Sequence, residues 1–243
     1  MGCHNKNFKT TESELLKIAH FVCKYSPGNI LLIGGGNVLQ ETAGYRRMRN
    51  LSDDLDFIIN DEGFSSVNEH LNLRRHYKNG SLADGDVAYV NDILIGLFYK
   101  NIKGYEIPVS VFESPRINYT SAGVIYSIPE ELNVALKIRR GSSRKMDPKI
   151  YGKDSLDFAS IHAGMDLVGN KFNVKDLVNN MTKGVCQSCC LSSKLECFRQ
   201  IKQSSKQLRG ELKTNYLNTI DRCADRAYEH CTRKIPTITK FKK

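Results

Sequence analysis

The sequence lacks the long apolar runs that membrane-spanning proteins need. No stretch approaches the roughly 18 consecutive apolar residues that cross a bilayer, although 40% of the 243 residues are hydrophobic. Residues 1–10 are polar and contain no apolar segment of the kind found in a secretory signal. The start Met1-Gly2-Cys3 resembles an acylation signal, but position 6 is Lys rather than Ser or Thr. We therefore expect a protein that does not enter a membrane.

Long internal repeats and low-complexity segments are also missing, which excludes a repeat array. A chain of 243 residues can bury a substantial core as one large or two modest domains. The eight cysteines occur without a secretory signal. We therefore expect a cytoplasmic protein with free thiols or a metal site rather than disulfides.

Acidic residues are the scarcer charge. The 36 Lys and Arg residues exceed the 26 Asp and Glu residues, which gives a formal net charge of +10. Such an excess is typical of proteins that bind polyanions, and it favours nucleic acid as a partner. The alternative is a generally basic protein without such a partner, and charge alone does not separate the two.

A glycine-rich turn follows the first predicted strand. The apolar run Ile30–Ile33 ends at Gly34, Gly35 and Gly36, and the residues after them can open a short helix. Backbone N–H groups at a helix start bind phosphate well, because they point outward and the helix dipole is positive there. The turn is therefore a candidate phosphate cradle.

The next predicted strand, Leu51–Ile59, begins acidic and becomes apolar. Side chains alternate between the two faces of a strand, so Asp54 and Asp56 share one face while Leu55 and Phe57 point to the core. Two carboxylates at close range cannot both stay ionised without a cation between them. Hard oxygen ligands suit Mg²⁺, which is usually shared with the phosphates of a substrate. Both aspartates are candidate metal ligands.

The second half of the sequence is predicted to be helical. Pro129 begins a helix that contains Lys137, and the basic loop 141–148 separates it from a second helix. Asp154 and Asp157 lie three residues apart and share a face of this second helix. A helical lysine is by default exposed to solvent. The residues alone leave open which carboxylate faces a site and which orients a basic group.

These motifs, in this order, resemble the nucleotidyltransferases that share the catalytic core of DNA polymerase β. The closer resemblance is to the AbiEii/MenT-type nucleotidyltransferases, the toxin halves of type IV toxin–antitoxin systems. It covers residues 30–159, and four ordered motifs are more specific than one Asp-x-Asp pair. The matching residues are Gly34, Gly35, Arg49, Ser52, Asp54, Asp56, Phe57, Lys137, Lys153, Asp154 and Asp157.

The resemblance implies an α/β fold: a polymerase β-like nucleotidyltransferase domain with a mixed sheet in residues 1–128, followed by a helical bundle domain in residues 129–243. It implies Mg²⁺-dependent transfer of a nucleoside monophosphate from a nucleoside triphosphate to an RNA acceptor, with the 3′ end of tRNA favoured. The protein would act as the toxin of a toxin–antitoxin or abortive-infection system, restrained by a cognate antitoxin.

The resemblance also implies a role for each matched side chain. Asp54 and Asp56 would hold the metal ions. Lys137 would counter negative charge in the transition state, and Asp154 or Asp157 would act as a base or orient another group. The residues implied in nucleotide binding are Gly34, Gly35, Gly36, Arg49 and Ser52.

A third strand carboxylate, which this superfamily often carries, is harder to find. The pattern predicts a helix over 64–76 and strands over 87–90, 93–99 and 105–112. Glu106 is the acidic candidate on the last strand, but a strand glutamate is more often an exposed surface residue. The resemblance to the toxins does not require this residue.

From Gly169 onward the sequence contains no further catalytic motif. Helices over 173–181, 187–210 and 212–231 are predicted to form a basic module that holds an RNA backbone independently of base sequence. The basic residues of this module are Lys202, Lys206, Arg209, Lys213, Arg222, Arg226, Arg233 and Lys234.

Cysteines in this region allow a zinc site as an alternative. Cys186 and Cys189 have the spacing of a zinc knuckle, but the later pair, Cys223 and Cys231, does not repeat this spacing. Cysteines can also pack a helical bundle as small apolar side chains. We therefore expect well under one Zn²⁺ per chain. The remaining candidate ligands are Cys190, Cys197 and His230.

Two other functions stay open from the sequence. The same core serves enzymes that transfer a nucleotide to a protein or to a small molecule such as an antibiotic. A non-catalytic RNA-binding or antitoxin-like protein that keeps the fold belongs to a different class. The basic C-terminal module favours RNA over a small molecule. The joint presence of Asp54, Asp56, Lys137 and Asp154 argues against a loss of catalysis.

Overall fold

Two compact units with different secondary structure make up the chain. The first contains the β-sheet and comprises Met1–Ala43 and Asn50–Pro129, and the second is helical and comprises Gly44–Arg49 and Glu130–Lys243. Each unit has buried apolar residues of its own. The computed structural model describes residues 10–43, 48, 51, 54–72, 74–78, 81–99, 101–102, 105–142, 148–182, 198–199 and 201–232.

Helix α1, Glu12–Cys23, begins at a capping box. The Thr11 hydroxyl accepts a hydrogen bond from the backbone N–H of Glu14, and the Glu14 carboxylate accepts one from the backbone N–H of Thr11. This reciprocal pair satisfies N–H groups that a helix start leaves without partners. Leu15, Ala19 and Val22 form part of its buried face. The sequence Thr11-Glu12-Ser13-Glu14, a capping-box pattern before an apolar face, predicts a helix that starts here, and the structure confirms it.

In the part of the chain that the structure describes, seven strands form one mixed sheet, and two short strands form a separate ribbon. In the sheet, the strands lie in the spatial order β3-β4-β5-β2-β1-β9-β8, and β6 pairs with β7 in the ribbon. Strand β2 runs antiparallel to β1 and parallel to β5. The bounds are β1 Ile30–Ile33, β2 Asp54–Ile59, β3 Arg74–Lys78, β4 Ser81–Val90, β5 Ile93–Tyr99, β6 Asn101–Ile102, β7 Tyr105–Glu106, β8 Arg116–Thr120 and β9 Gly123–Ser127.

The two faces of the sheet have different compositions. Leu55, Phe57 and Ile59 of β2 belong to the core that also contains the buried face of α1. Since side chains alternate along a strand, Asp54 and Asp56 lie on the opposite face. The remaining helices of this unit are α2 Gln40–Ala43, α3 Asp61–His70 and α4 Ser110–Glu113, with a 3-10 helix at Gly36–Val38.

Two local predictions in this unit are wrong. The helix predicted over 64–76 ends at His70, and Arg74–Lys78 forms strand β3. The strand predicted over 105–112 is only two residues long, because Pro108 has no N–H for a sheet ladder and its carbonyl instead accepts a turn hydrogen bond from Val111 at 3.1 Å. The hairpin β8–β9 was not predicted.

The helical unit packs around a cluster of aromatic rings. Phe158 lies 5.3 Å from Phe172 and 5.4 Å from Tyr216, measured between ring centroids. The Tyr216 hydroxyl donates to the carbonyl of Ile201 at 3.2 Å, so its polar end is satisfied inside the core. Among its described residues, the longer helices are α5 Glu130–Ser142, α6 Pro148–Leu167, α7 Val174–Thr182 and α8 Gly210–Thr232, with a 3-10 helix at Gln203–Gln207. Residues 198–199 and 201–202 are helical as well.

This arrangement confirms the predicted α/β fold with a mixed sheet and a helical part that follows it. Helices α7 and α8 match the helices predicted over 173–181 and 212–231. Of the helix predicted over 187–210, residues 187–197 and 200 lie outside the described residues. Residues 198–199 and 201–202 are helical, 203–207 form a 3-10 helix, and the helix is interrupted at 208–209 before α8 begins. Within those residues, no helix has both the length and the apolar character that a membrane span requires.

Candidate active site

The glycine turn has a backbone that only glycine adopts easily. Gly34 has a φ of +65°, in the left-handed region. A 3-10 helix of three residues, Gly36–Val38, and the four-residue α2 follow it. The predicted short helix is thus split in two, and neither piece is long enough for a strong dipole. A phosphate cradle here depends on the N–H groups of the turn itself.

Asn37 ties this turn to the end of β9. Its side chain is 1% exposed, and its amide N–H donates to the carbonyl of Ile128 at 3.3 Å. Its amide oxygen is buried and has no hydrogen-bond partner, which costs free energy unless a donor reaches it. The sequence offered no signal for this contact, since the partner lies 91 positions away.

Asp56 lies between two glycines. It is paired in register with Ile33, the residue before Gly34, and on its other side with Gly96 of β5. A β-carbon at Gly34 would lie 3.1 Å from Oδ2 of Asp56, and one at Gly96 would lie 2.6 Å from Oδ1. The carboxylate therefore occupies space that side chains at these two positions would take.

Asp54 shares the face of Asp56 but not its surroundings. Asp54 is exposed, whereas Asp56 is half-buried between its neighbours. Two carboxylates on one face form the donor set that a hard cation prefers, and Mg²⁺ commonly binds one or two carboxylates together with substrate phosphates. The residues present therefore fit Mg²⁺. No group of three or more His, Cys, Asp or Glu side chains is clustered for a metal within the described ranges.

The neighbouring strand offers no third carboxylate to this pair. The residues of β5 in register with Asp54 and Asp56 are Leu94 and Gly96. Glu106 lies in the ribbon β6–β7, paired in register with Asn101, and this ribbon is separate from the seven-stranded sheet. The strand on which the sequence placed Glu106 is only two residues long and is not part of the sheet that carries Asp54 and Asp56.

Lys137 is buried against both candidate aspartates of the helical unit. Its Nζ lies 2.7 Å from Oδ2 of Asp157 and 3.5 Å from Oδ1 of Asp154. Asp157 is 1% exposed, and Lys137 and Asp154 are each 8% exposed. The default expectation of a solvent-exposed lysine is therefore wrong. A buried charge is tolerated only with oppositely charged partners of this kind. The two carboxylates therefore hold the Lys137 ammonium in place, and the ammonium holds them.

The other residues that match the family pattern lie in different environments. Phe57 is fully buried in the core, so its side chain packs rather than reacts. Lys153 is exposed on α6. Arg49 and Ser52 lie outside the described residues. The structure thus brings the predicted site residues together in two groups, one around the glycine turn and one around Lys137.

A buried histidine on α6 carries no distinctive signal in the sequence. His162 is 2% exposed, its Nε2 lies 2.7 Å from the Thr219 hydroxyl, and its Nδ1 lies 3.8 Å from Oδ2 of Asp166. Burial lowers the pKa of His162, and the nearby Asp166 carboxylate opposes this effect. The contact joins α6 to α8. An i, i+4 His–Asp pair is too common in helices to mark it from the sequence.

The two cysteines whose side chains the structure describes, Cys23 and Cys223, are packed in the core. Cys23 and Cys223 are free and buried, and burial raises the pKa of each thiol to about 12. Thiols of this kind are unreactive at neutral pH. The first four candidate zinc ligands, Cys186, Cys189, Cys190 and Cys197, lie outside the described residues, so the expectation about zinc stays a prediction.

The basic module is less uniformly basic than the sequence suggested. Lys202 is ion-paired with Asp221, and α8 interleaves its basic residues with acidic ones. Lys206 and Arg209 are exposed. The basic residues with few acidic neighbours in sequence are therefore concentrated in 199–213, before and at the start of α8.

Comparison with known proteins gives a likeness in structure alone. No protein-family model matches the sequence, and no curated protein is significantly similar to it. An antigenic nucleotidyltransferase-like protein from Paracoccidioides brasiliensis superposes with a TM-score of 0.50 at 13% identity, covering 85% of this chain and 94% of its own. The chain has a nucleotidyltransferase-like fold.

Two further solved structures are less similar. The antibiotic-resistance factor ANT(2'')-Ia has a TM-score of 0.42 at 16% identity, covering 72% of this chain and 91% of its own. A Thermotoga maritima protein assigned as a nucleotidyltransferase has a TM-score of 0.40 at 14% identity, covering 56% and 91%. At these values the likeness does not bear on the substrate.

Proposed function

We propose that this nucleotidyltransferase-like protein is a Mg²⁺-dependent enzyme that transfers a nucleoside monophosphate from a nucleoside triphosphate to an RNA acceptor. One observation carries the proposal. The Asp56 carboxylate lies between Gly34 and Gly96, with Asp54 on the same strand face and the glycine turn beside it.

In the proposed reaction, an acceptor hydroxyl releases its proton to solvent and its oxygen bonds to the α-phosphorus. The bond from the α-phosphorus to the oxygen that bridges to the β-phosphate breaks, and pyrophosphate leaves. Bound Mg²⁺ would neutralise the triphosphate and lower the pKa of the attacking hydroxyl. Asp54 and Asp56 would be its ligands. Backbone N–H groups of the turn would hold the β- and γ-phosphates. Arg49 and Ser52 are proposed as further nucleotide contacts on the sequence resemblance alone.

The aspartates of the helical unit are proposed to have different tasks. Asp157 is the more deeply buried and has the shorter contact to Lys137, which suits a positioning residue. Asp154 has the longer contact of 3.5 Å and is slightly more exposed. To stabilise negative charge on a substrate, Lys137 would exchange its weaker contact, the one to Asp154, for a contact to the substrate.

RNA is the proposed acceptor because of charge. The net charge of the chain is +10, and phosphate contacts by Lys and Arg supply most of the affinity of sequence-independent binding. The described residues contain 20 basic and 23 acidic side chains, so the basic excess comes from other segments. Residues 44–50 contain three arginines, and 233–243 contain five basic residues and no acidic one. Among RNAs, the sequence resemblance favours the 3′ end of tRNA as the acceptor.

A toxin role, restrained by an antitoxin protein, is proposed on the sequence resemblance. If it is correct, expression in a host cell without the antitoxin stops growth, and Asp54→Asn restores it. Growth arrest that persists with Asp54→Asn would separate toxicity from nucleotide transfer.

The direct test supplies each radiolabelled nucleoside triphosphate in turn, with total tRNA and Mg²⁺. We expect wild-type protein to label RNA with one nucleotide in preference to the others. Asp54→Asn should lower the rate by at least about 10²–10³-fold, because the charge that binds the metal is removed while the shape is kept. Asp92→Asn is the matched control. Asp92 is exposed in a hairpin turn with a φ of 64°, a conformation that Asn tolerates.

Wild-type rates in Asp54→Asn would overturn the metal-site assignment. Transfer to a protein or small molecule, with none to RNA, would retain the reaction and replace the acceptor. A wild-type protein that binds RNA but transfers no nucleotide to any of these would leave the non-catalytic alternative.

A further inference from the structure

The orientation of the Asp56 carboxylate depends on an absent side chain on the neighbouring strand. Gly96 is paired in register with Asp56. A β-carbon at Gly96 would lie 2.6 Å from Oδ1 of Asp56, closer than real β-carbon contacts allow. The carboxylate thus extends over the backbone of β5, across a position where every other amino acid would obstruct it.

We infer that Gly96 is a positioning residue of the metal site, whose missing side chain lets the Asp56 carboxylate take the orientation that binds the cation. The inference rests on the proposed function, and it adds a residue that neither the fold nor the sequence motifs single out. It also accounts for the missing third carboxylate, because the place beside Asp56 on β5 is needed as open space.

The consequence of filling this space falls on Asp56 and not on the backbone. Apart from atoms of Asp56, the nearest atom to the added carbon is Cε2 of Phe98, at 3.4 Å. A carboxylate can rotate away at a small energetic cost. The fold should therefore survive an alanine at this position while the metal ligand is misplaced.

Other glycines of the sheet unit behave differently, which makes the position diagnostic. A β-carbon at Gly85 would lie 2.0 Å from the carbonyl oxygen of Leu97, and one at Gly63 would lie 2.4 Å from that of Asn29. These carbons meet backbone, which cannot yield without distorting the sheet. Gly34 faces Asp56 as well, but its positive φ makes any substitution there strained.

The test compares Gly96→Ala with wild type by three measurements: Mn²⁺ binding by electron paramagnetic resonance with a non-hydrolysable nucleoside triphosphate, thermal unfolding without metal, and nucleotide transfer. We expect Mn²⁺ affinity to fall tenfold or more, transfer to fall with it, and Tm to change little. Gly152→Ala is the control, since nothing lies within 4 Å of a β-carbon there.

A second comparison separates positioning from packing. In an Asp56→Ala background the obstructed carboxylate is gone, so adding Gly96→Ala should change neither Tm nor residual Mn²⁺ binding. A further loss of either in that background assigns Gly96 a packing role and overturns the inference.

Unchanged Mn²⁺ affinity in Gly96→Ala, with normal binding by wild type, overturns this inference and leaves the proposed function standing. Wild-type protein that binds neither Mn²⁺ nor the nucleotide overturns the proposed function, and this inference with it.

Discussion

The two groups of candidate site residues use aspartate in opposite ways. On β2, Asp54 is exposed and Asp56 is half-buried, on a strand face that lies away from the core. In the helical unit, Asp154 and Asp157 are buried around Lys137. One pair can meet a ligand from solvent, and the other already has an internal counter-charge. The two pairs of aspartates look alike in the sequence, but their environments differ, and different roles are proposed for them.

The difference has an energetic consequence. A buried charge that loses its partner is strongly destabilising, because its desolvation is no longer compensated. An exposed carboxylate on a strand carries no such penalty, and its removal changes stability little. Mutations that are chemically identical should therefore affect stability in one unit and activity in the other.

The largest stability effect is expected for Asp157→Asn. It replaces the carboxylate that lies 2.7 Å from Lys137 by a neutral amide, so the buried ammonium loses its nearer counter-charge and the free energy of unfolding should fall by about 3 kcal/mol. Urea titration of both proteins measures this. A change in unfolding free energy below about 1 kcal/mol would mean that the Lys137 ammonium becomes hydrated in the variant. The two units would then not differ in how they respond to the loss of an aspartate charge.

A triple mutant sharpens the same point. Lys137→Met, Asp154→Asn and Asp157→Leu together remove all three buried charges, so that no charge is left to compensate. The triple variant should recover part of the stability that Asp157→Asn loses, since neutral residues of similar volume often replace a buried ion pair at little cost. Less stability than Asp157→Asn alone would instead show that the charges are needed together.

A smaller effect is expected from reversing exposed basic residues. Lys206→Glu with Arg209→Glu should weaken RNA binding roughly tenfold, because the double reversal removes two phosphate contacts. The slope of log affinity against log salt should become shallower by about 1.4 for the same reason. Lys171→Glu with Lys175→Glu is the control, as both lysines are exposed but lie outside the basic segment 199–213. Lys202 is left intact because of its ion pair with Asp221.

Affinity that is insensitive to salt, and to this reversal, would exclude RNA as the acceptor. Equal losses in the test and control variants would instead indicate a diffuse electrostatic effect. Deleting residues 233–243, which carry five basic side chains, should lower the salt slope further if the tail adds phosphate contacts.

A pH effect is expected from His162. Burial lowers its folded-state pKa, so between that value and the ordinary value near 6.5 the unfolded chain binds more protons. Stability should fall as pH drops below about 6.5, by up to about 1.4 kcal/mol per pH unit for one proton. Tm measured from pH 8 to 5 should show a shallower decline in His162→Asn than in wild type.

The smallest change is expected for the stability of Asp54→Asn. The side chain is exposed, so the free energy of unfolding should stay within about 0.5 kcal/mol of wild type. Measured by the same urea titration as Asp157→Asn, this variant supplies the other half of the contrast. A loss as large as that of Asp157→Asn would mean that Asp54 has a structural role.

Local sequence patterns predicted those elements whose partners are near in sequence or whose pattern is unambiguous. The capping box at Thr11, the apolar run of β1 and the acidic start of β2 each carry their own signal. The alternation of Tyr105, Ile107 and Val109 suggested a strand, but it occurs around Pro108, which instead accepts a turn hydrogen bond. A period of two in a segment with proline is therefore weak support for a strand.

The site was less predictable than the fold because it depends on register. That Gly96 faces Asp56 follows from the pairing of β2 with β5, which no local pattern specifies. The burial of Lys137 depends on carboxylates 17 and 20 positions further along the chain. The motif residues could be named from the sequence, but their surroundings could not.

The division of the chain also bears on the order in which its parts can be completed. The backbone N–H of Met48 donates to the hydroxyl of Ser160 at 3.2 Å, although 112 positions separate them. Met48 lies in the short segment 44–49, which belongs to the helical unit, while the chain before and after this segment belongs to the sheet unit. A ribosome releases this short segment long before the helices that receive it.

During synthesis from the N-terminus, the sheet unit is therefore complete once Pro129 has emerged, whereas the helical unit has one early piece and many late ones. An expression fragment that starts at Glu130 would lack that early piece. For the same reason, the nascent chain has to keep Met48 accessible until α6 has left the ribosome.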